Sequence, residues 1–306
     1  MTVNFINKRR YFYVFSLLLS LGSLVAVSVW GLRLGIDFKG GTLMEVQFAS
    51  ELFPTVDLVR EKLAPLNLQS LSVQPTANSS HLLRYLASDE TTNDKALSEL
   101  KTFDENLTQL RVDFIGASVS EQIKSQAFTG TVMALVGIAL YIAWAFRRVS
   151  QPITSWEYGL GAIIALAHDI IITVGVFSVL GHFYGIEVGV PFIAALLTIL
   201  GYSVNDTIVV YDRVRENLLR AKRGVDFELI VNHSLNETIV RSINTSLTVI
   251  IVLIAIALLG GESVRWFAVA LLVGVGFGTY SSIFIASALL VTRYRFKIRK
   301  VSKSKI

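Results

Sequence analysis

Six stretches of about 20 largely apolar residues, at 11–30, 126–146, 158–180, 189–211, 243–260 and 266–290, leave this chain one class of fold. A hydrocarbon core about 30 Å thick takes roughly 20 helical residues to cross, and hydrocarbon offers the backbone no hydrogen-bond partners, so each stretch must be a helix. The expectation is an α-helical integral membrane protein with six transmembrane helices, and a composition of 53% hydrophobic against 17% charged residues agrees with it. The first stretch follows Lys8, Arg9 and Arg10 and contains the small-residue triplet Ala26-Val27-Ser28, marks shared with cleaved signal peptides. Its length exceeds the apolar region of about 7–15 residues usual in such signals, so it reads as a first span.

Residues 31–125 are the one long polar section. Alternating and amphipathic patterns there predict strands at 42–49, 68–75, 81–87 and 109–115 and helices at 55–66 and 92–106. The order βαββαβ suggests an α+β ferredoxin-like domain between the first two spans. This section has 9 Lys or Arg against 13 Asp or Glu, although the whole chain is +5. The remaining basic residues gather at the ends of apolar stretches: Arg147 and Arg148 after the second, Arg213 to Arg223 after the fourth, and seven Lys or Arg from Arg293 to Lys305 after the sixth. All these clusters fall on the side of the N-terminus. By the positive-inside rule both termini are then cytoplasmic and the ferredoxin-like domain is extracytoplasmic. Such clusters mark membrane orientation and not nucleic acid. The expected organisation is 1–30 with the first span, 31–125 outside, and a bundle of five spans over 126–290. A cytoplasmic connection at 212–242 joins the fourth and fifth spans, and a basic tail follows at 291–306. Within the connection, Phe227, Ile230, Val231 and Leu235 suggest a separate amphipathic helix on the inner surface after a break at Gly224.

Cysteine is absent, which removes disulfides, thiolate nucleophiles and Cys-ligated metals, and the four histidines do not stand at ligand spacing. No catalytic residue, cofactor or metal is expected. The candidate site lies in the spans. Asp206, beside Asn205, sits in the run beginning near Pro191, and a carboxylate in hydrocarbon usually faces a bundle interior or a water path. Thr198, Tyr202, Asn205, Asp206 and Val209 recur at helical spacing and are expected to face inward. His168 and Asp169 occupy the third span. Arg241 opens the fifth and could pair with Asp206 or reach for the surface. Ala270, Gly274, Gly278 and Ser282, four residues apart in the sixth span, make a small-residue surface for close helix packing. A proton or cation relay through Asp206 is one reading, and a structural ion pair is the other. Asp37, Gly40 and Gly41 lie in GIDFKGG, where a glycine turn fits better than a phosphate loop, since no GK[ST] follows.

GIDFKGG at 35–41, GASVSEQI at 116–123, ALAHDIIIT at 165–173, GYSVNDTIVVYDRVREN at 201–217 and GTYSSIFIASALL at 278–290 resemble, in order, the SecF family of bacterial protein-translocase subunits, within the RND superfamily. The resemblance implies six spans, an outer ferredoxin-like domain and a place in the bacterial inner membrane. It also implies assembly with SecD and the SecYEG channel, with YajC and YidC as further partners and an unfolded exported polypeptide as the cargo. Protons, or sodium in some members, would drive that export. The family's ion-coupling aspartate then matches Asp206, its functional arginine Arg241, its His-Asp pair His168 and Asp169, and its Asp-x-x-Gly-Gly element Asp37, Gly40 and Gly41, a positioning element for the outer domain. Two other classes compete with an energy-coupling subunit. A free-standing ion-driven exporter of small molecules would usually need a second six-span half, and an intramembrane aspartyl protease would need the GxGD that is missing beside Tyr211-Asp212.

Overall fold

The computed structural model describes residues 4–49, 54–76, 79–86, 90–147, 152–221 and 225–303. They fall into two compact units, Leu34–Phe128 and Met1–Arg33 with Thr129–Ile306. After α1 (Arg9–Trp30), the smaller unit runs α2 (Ile36–Lys39), β1 (Gly41–Gln47), α3 (Val56–Leu63), β2 (Gln69–Thr76), β3 (Ser80–Leu86), α4 (Glu90–Lys101) and β4 (Thr108–Ile115).

The four strands form one antiparallel sheet in the order β2-β3-β1-β4. Met44 and Val46 of β1, two residues apart and so on one face, bury with Val59 and Leu63 of α3, Leu83 of β3 and Leu100 of α4. Behind this core, Asn93 Oδ1 accepts hydrogen bonds from Thr42 Oγ1 (3.0 Å) and Tyr85 Oη (2.8 Å), tying α4 to β1 and β3. Burial pushes the Tyr85 phenol up to about 12. α4 ends at Lys101, five residues short of the expected 106, because Asp104 builds a turn instead. Its carboxylate accepts from Asn106 N (3.0 Å) and from Ala49 N beyond β1 (2.7 Å).

The paired glycines have a backbone reason. Gly40 and Gly41 take φ of +75° and +116°, and a Cβ on Gly41 would stand 2.6 Å from the Tyr85 carbonyl oxygen. Only glycine brings β1 this close to β3 at that point.

The larger unit holds α5 (Ala117–Ala145, whose first turns belong to the smaller unit), α6 (Ser155–Tyr184), α7 (Val190–Arg220), α8 (Phe227–Leu259), α9 (Glu262–Ser281) and α10 (Ser287–Lys303). A π-helical segment, Ser282–Ala286, joins α9 to α10. Among the described residues six helices are long and apolar enough to cross a membrane, the sixth being Val264–Arg299 across that segment. α6, α7 and the sixth crossing bury about half of their apolar windows, whereas α1, α5 and α8 bury 17% or less. The first three therefore make the centre of the bundle, and the others turn most of their apolar surface outward.

Close approach at the centre depends on small residues. A Cβ on Gly274 of α9 would meet Ile199 Cδ1 of α7 at 2.1 Å, and one on Gly278 would meet Ser203 Cβ at 3.1 Å. The expected separate surface helix does not exist. α8 runs unbroken from Phe227, where Asp226 Oδ1 caps it by accepting from Glu228 N (3.1 Å), through to Leu259. Phe227, Ile230, Val231 and Leu235 are buried against protein, Phe227 packing on Tyr294 of α10. No breaker stands between 227 and 242, so the fifth span continues through them; Gly224 lies outside the described residues. The stretch 291–303, expected as a tail, is also helical. Arg293 Nε donates to Glu157 Oε1 (2.7 Å), and Arg295 forms a fork with Glu228.

A candidate ion site in the bundle

Asp206 sits midway along α7 and is 9% exposed. Its Oδ1 accepts from Ser242 Oγ of α8 at 2.5 Å, and its Oδ2 is buried without a hydrogen-bond partner among the described residues. The inward face of α7 is not the expected one. Thr198 and Asn205 are exposed, Tyr202 and Val209 are half-buried, and the centre of the bundle receives Ala195, Ile199, Ser203, Thr207, Val210 and Val214. Asp206 lies at the border of the two faces. Arg241 is exposed, and among the ion pairs of the described residues it has none with Asp206. Its neighbour Ser242 makes the contact that the arginine was a candidate to make.

Asp169 of α6 is fully buried and fully partnered. Its Oδ2 accepts from Ser203 Oγ of α7 (2.6 Å) and Ser281 Oγ of α9 (2.8 Å), and its Oδ1 lies 2.9 Å from His168 Nδ1. The His168 ring stacks on Tyr280 at 6.2 Å, and Tyr280 Oη reaches back to the Phe12 carbonyl of α1 (3.1 Å). Ser282 Oγ donates to the carbonyl of Ser203 (3.2 Å) and shares a hydrogen bond with Thr207 Oγ1 (2.8 Å). Consecutive residues of the sixth crossing thus serve different helices, Ser281 turning to α6 and Ser282 to α7. The π-helical segment starts at that point, and such widened turns often accompany functional sites in helices. Further along, Ser246 of α8 receives a hydrogen bond from Tyr202 Oη (3.0 Å) and shares one with Thr279 Oγ1 (2.5 Å).

The two carboxylates have different chemical prospects. Three hydrogen-bond partners, Ser203, Ser281 and His168, occupy both oxygens of Asp169, which makes it a clasp on α6, α7 and α9. Asp206 has one donor and one bare oxygen, and an uncompensated buried carboxylate is disfavoured, so its free oxygen is a place for a proton or a small cation. The structure brings Asp169 together with His168 and leaves Asn205 and Arg241 outside both hydrogen-bonded groups. Ser203, Ser242 and Ser281 are the residues that sequence reasoning missed. Ser203 and Ser242 leave a trace in hydroxyls four residues apart, Ser203 with Thr207 and Ser242 with Thr238 and Ser246; Ser281, between Phe277 and Ile285, leaves none.

The family model for the C-terminal region of the protein export membrane proteins SecD and SecF matches residues 95–295, and the model of the SecD/SecF GG motif matches residues 28–51, which include Asp37, Gly40 and Gly41. Protein translocase subunit SecF of Thermobaculum terrenum is 41% identical over 302 residues, covering 95% of this chain and 93% of that protein. SecF of Anaerolinea thermophila is 40% identical over 291 residues, covering 94% and 93%. SecF of Haemophilus influenzae is 38% identical over 288 residues, covering 93% and 84%. Among solved structures, SecDF from Thermus thermophilus, described as a translocon-associated membrane protein, superposes with a TM-score of 0.83 at 32% identity. That match covers 96% of this chain and 39% of the SecDF chain, so the present chain spans about two fifths of it.

Proposed function

Since the chain belongs to the SecD/SecF family of protein export membrane proteins and is a SecF-type auxiliary subunit of the Sec translocase, we propose that Asp206 couples a transmembrane ion gradient to polypeptide export. The observation that supports this is the bare, buried Oδ2 of Asp206 in the middle of a spanning helix. A proton or sodium ion enters from the outer side, settles on that oxygen and leaves inward. The change in buried charge alters how α7 packs on α8. One elementary charge crossing 100 mV is worth about 2.3 kcal/mol, enough to shift a two-state equilibrium roughly fifty-fold.

In this reading the protein lies in the bacterial inner membrane with both termini cytoplasmic and has no covalent catalytic site. Residues 34–128 form an extracytoplasmic ferredoxin-like domain, a reading supported by the strand order β2-β3-β1-β4. That domain handles the unfolded exported chain. SecD supplies the second six-span half and covers the face of α7 that exposes Thr198 and Asn205, with Arg241 beside it. SecYEG is the channel served, with YajC and YidC as accessory partners. The experiment is complementation. In cells lacking their own SecF, Asp206→Asn should abolish gradient-dependent export while the protein still inserts and pairs with SecD. Undiminished export by that variant would refute the coupling role.

A further inference from the structure

In the sequence Lys8, Arg9 and Arg10 are the basic flank of the first span, and the structure gives two of them a shaped setting. A cavity of about 500 Å³ opens at the N-terminal end of α1, lined by Asn7, Arg9, Arg10, Tyr11, Val14 and, from α10, Arg295. That volume lies within the range of small-molecule sites, about 300–1,000 Å³. Three guanidinium groups line it. Arg9 and Arg295 both pair with Glu228 at its edge, which fixes their positions and leaves the cluster net positive. Arg10 is exposed and takes part in none of the ion pairs among the described residues.

A second feature continues from the cavity. Tyr11 and Val14 of its wall start a row, Tyr11, Val14, Leu18, Leu21 and Val25, whose members are 76%, 56%, 65%, 49% and 59% exposed. The spacing of three and four residues puts them on one side of α1, in a row that runs lengthwise along the span as part of its wider exposed apolar surface. A charged cavity at the membrane edge that leads straight into an apolar strip matches a molecule with an anionic head and a hydrocarbon tail. A free anion would use the cavity alone, whereas a lipid would use the cavity and the adjoining apolar surface of the span together.

We propose that this is a binding site for an anionic phospholipid, with the phosphate held by Arg10 beside Arg9 and Arg295, and one acyl chain along the Tyr11–Val25 row. The Tyr11 ring stands at the junction, where interfacial aromatic side chains sit by preference. The bound lipid fastens the first span to α10, two elements that already meet through Tyr13 Oη and Thr292 Oγ1 at 2.9 Å.

The test uses the full chain in detergent, titrated with phosphatidylglycerol, phosphatidylcholine or inorganic phosphate, with bound lipid counted by native mass spectrometry. Phosphatidylglycerol should bind with a preference over phosphatidylcholine that Arg10→Gln weakens about five-fold, the effect of one cation near a membrane surface. Lys8→Gln, at an exposed residue outside the cavity, should leave that preference unchanged. Equal binding of the two lipids would overturn the proposal. So would an equal loss in the Lys8 and Arg10 variants, which would mean diffuse attraction, or displacement of the lipid by millimolar inorganic phosphate, which would mean a free-anion site.

Discussion

Replacing Asp169 with Ala removes the acceptor of two short hydrogen bonds, from Ser203 and Ser281, and the partner of a third with His168, at a position with no solvent access. Ser281 keeps a fallback acceptor in the Gly278 carbonyl at 3.1 Å, but the Ser203 hydroxyl and the His168 ring nitrogen lose their partner in the dry centre of the bundle. Hydrogen bonds to a charged group contribute about 1.5–3 kcal/mol each, and relief of the carboxylate's own desolvation offsets part of their sum. Breaking a buried charge cluster by removing one member typically costs about 3–5 kcal/mol, which is the destabilisation expected here. The same substitution at Asp206 removes one hydrogen bond, from Ser242, and also removes a buried oxygen with no partner. The two effects oppose each other, so the net change should stay within about 1 kcal/mol. Thermal unfolding of the purified variants in one detergent separates the cases. Asp169→Ala should lower the midpoint by roughly 6–15 °C and Asp206→Ala by no more than about 3 °C. If Asp206→Ala is the more damaging of the two, the assignment of clasp and ion site is reversed and the reasoning fails.

Gly41→Ala forces a side chain into positive φ and against the Tyr85 carbonyl, a strain of about 1–3 kcal/mol. Hydrogen exchange on the intact protein should show faster exchange confined to β1 and β3, and unchanged protection there would contradict the close approach. Tyr158→Phe deletes a buried hydroxyl that has no partner among the described residues, so its melting temperature should equal or exceed that of the parent, by up to about 1 kcal/mol in stability. A clear loss would mean that the hydroxyl is bonded.

Much of the backbone was legible because burial imposes a period. The alternation around Met44 and Val46 marked a strand with one wet face, and the apolar runs marked helices with no wet face at all. Asp206 stood out for the same reason, as a charge where none is expected. The faces of α7 were not legible. Thr198, Tyr202 and Asn205 share a stripe with Asp206, and hydroxyls in a spanning helix do not declare whether they look toward α6, toward α9 or away from the chain. Arg241 stands out in the sequence by its charge, yet the neighbour that touches Asp206 is Ser242, one residue on and about 100° round the helix. Ser203 and Ser281 were invisible individually, since each acquires meaning only when Asp169 of a third helix arrives between them. The ends of α8 and α10 were misplaced because charged and polar residues at 227–242 and 291–303 look like connections, and the partners that hold them helical, Glu157, Glu228 and Tyr294, are remote in sequence.

The π-helical segment Ser282–Ala286 works as an offset between two separately keyed lengths of one helix. Each residue of an α-helix advances the side chains by about 100°, and a π turn absorbs one residue more than an α turn over a similar rise. The length before it is keyed to the acid of α6 through Ser281, and the length after it is keyed to Glu157 and Glu228 through Arg293 and Arg295. Without the extra residue, the phase that presents Ser281 to Asp169 would carry the two arginines a quarter-turn or more away from their carboxylates. The interior lock and the basic clasp at the bundle's end can both close only because the helix is out of step with itself between them.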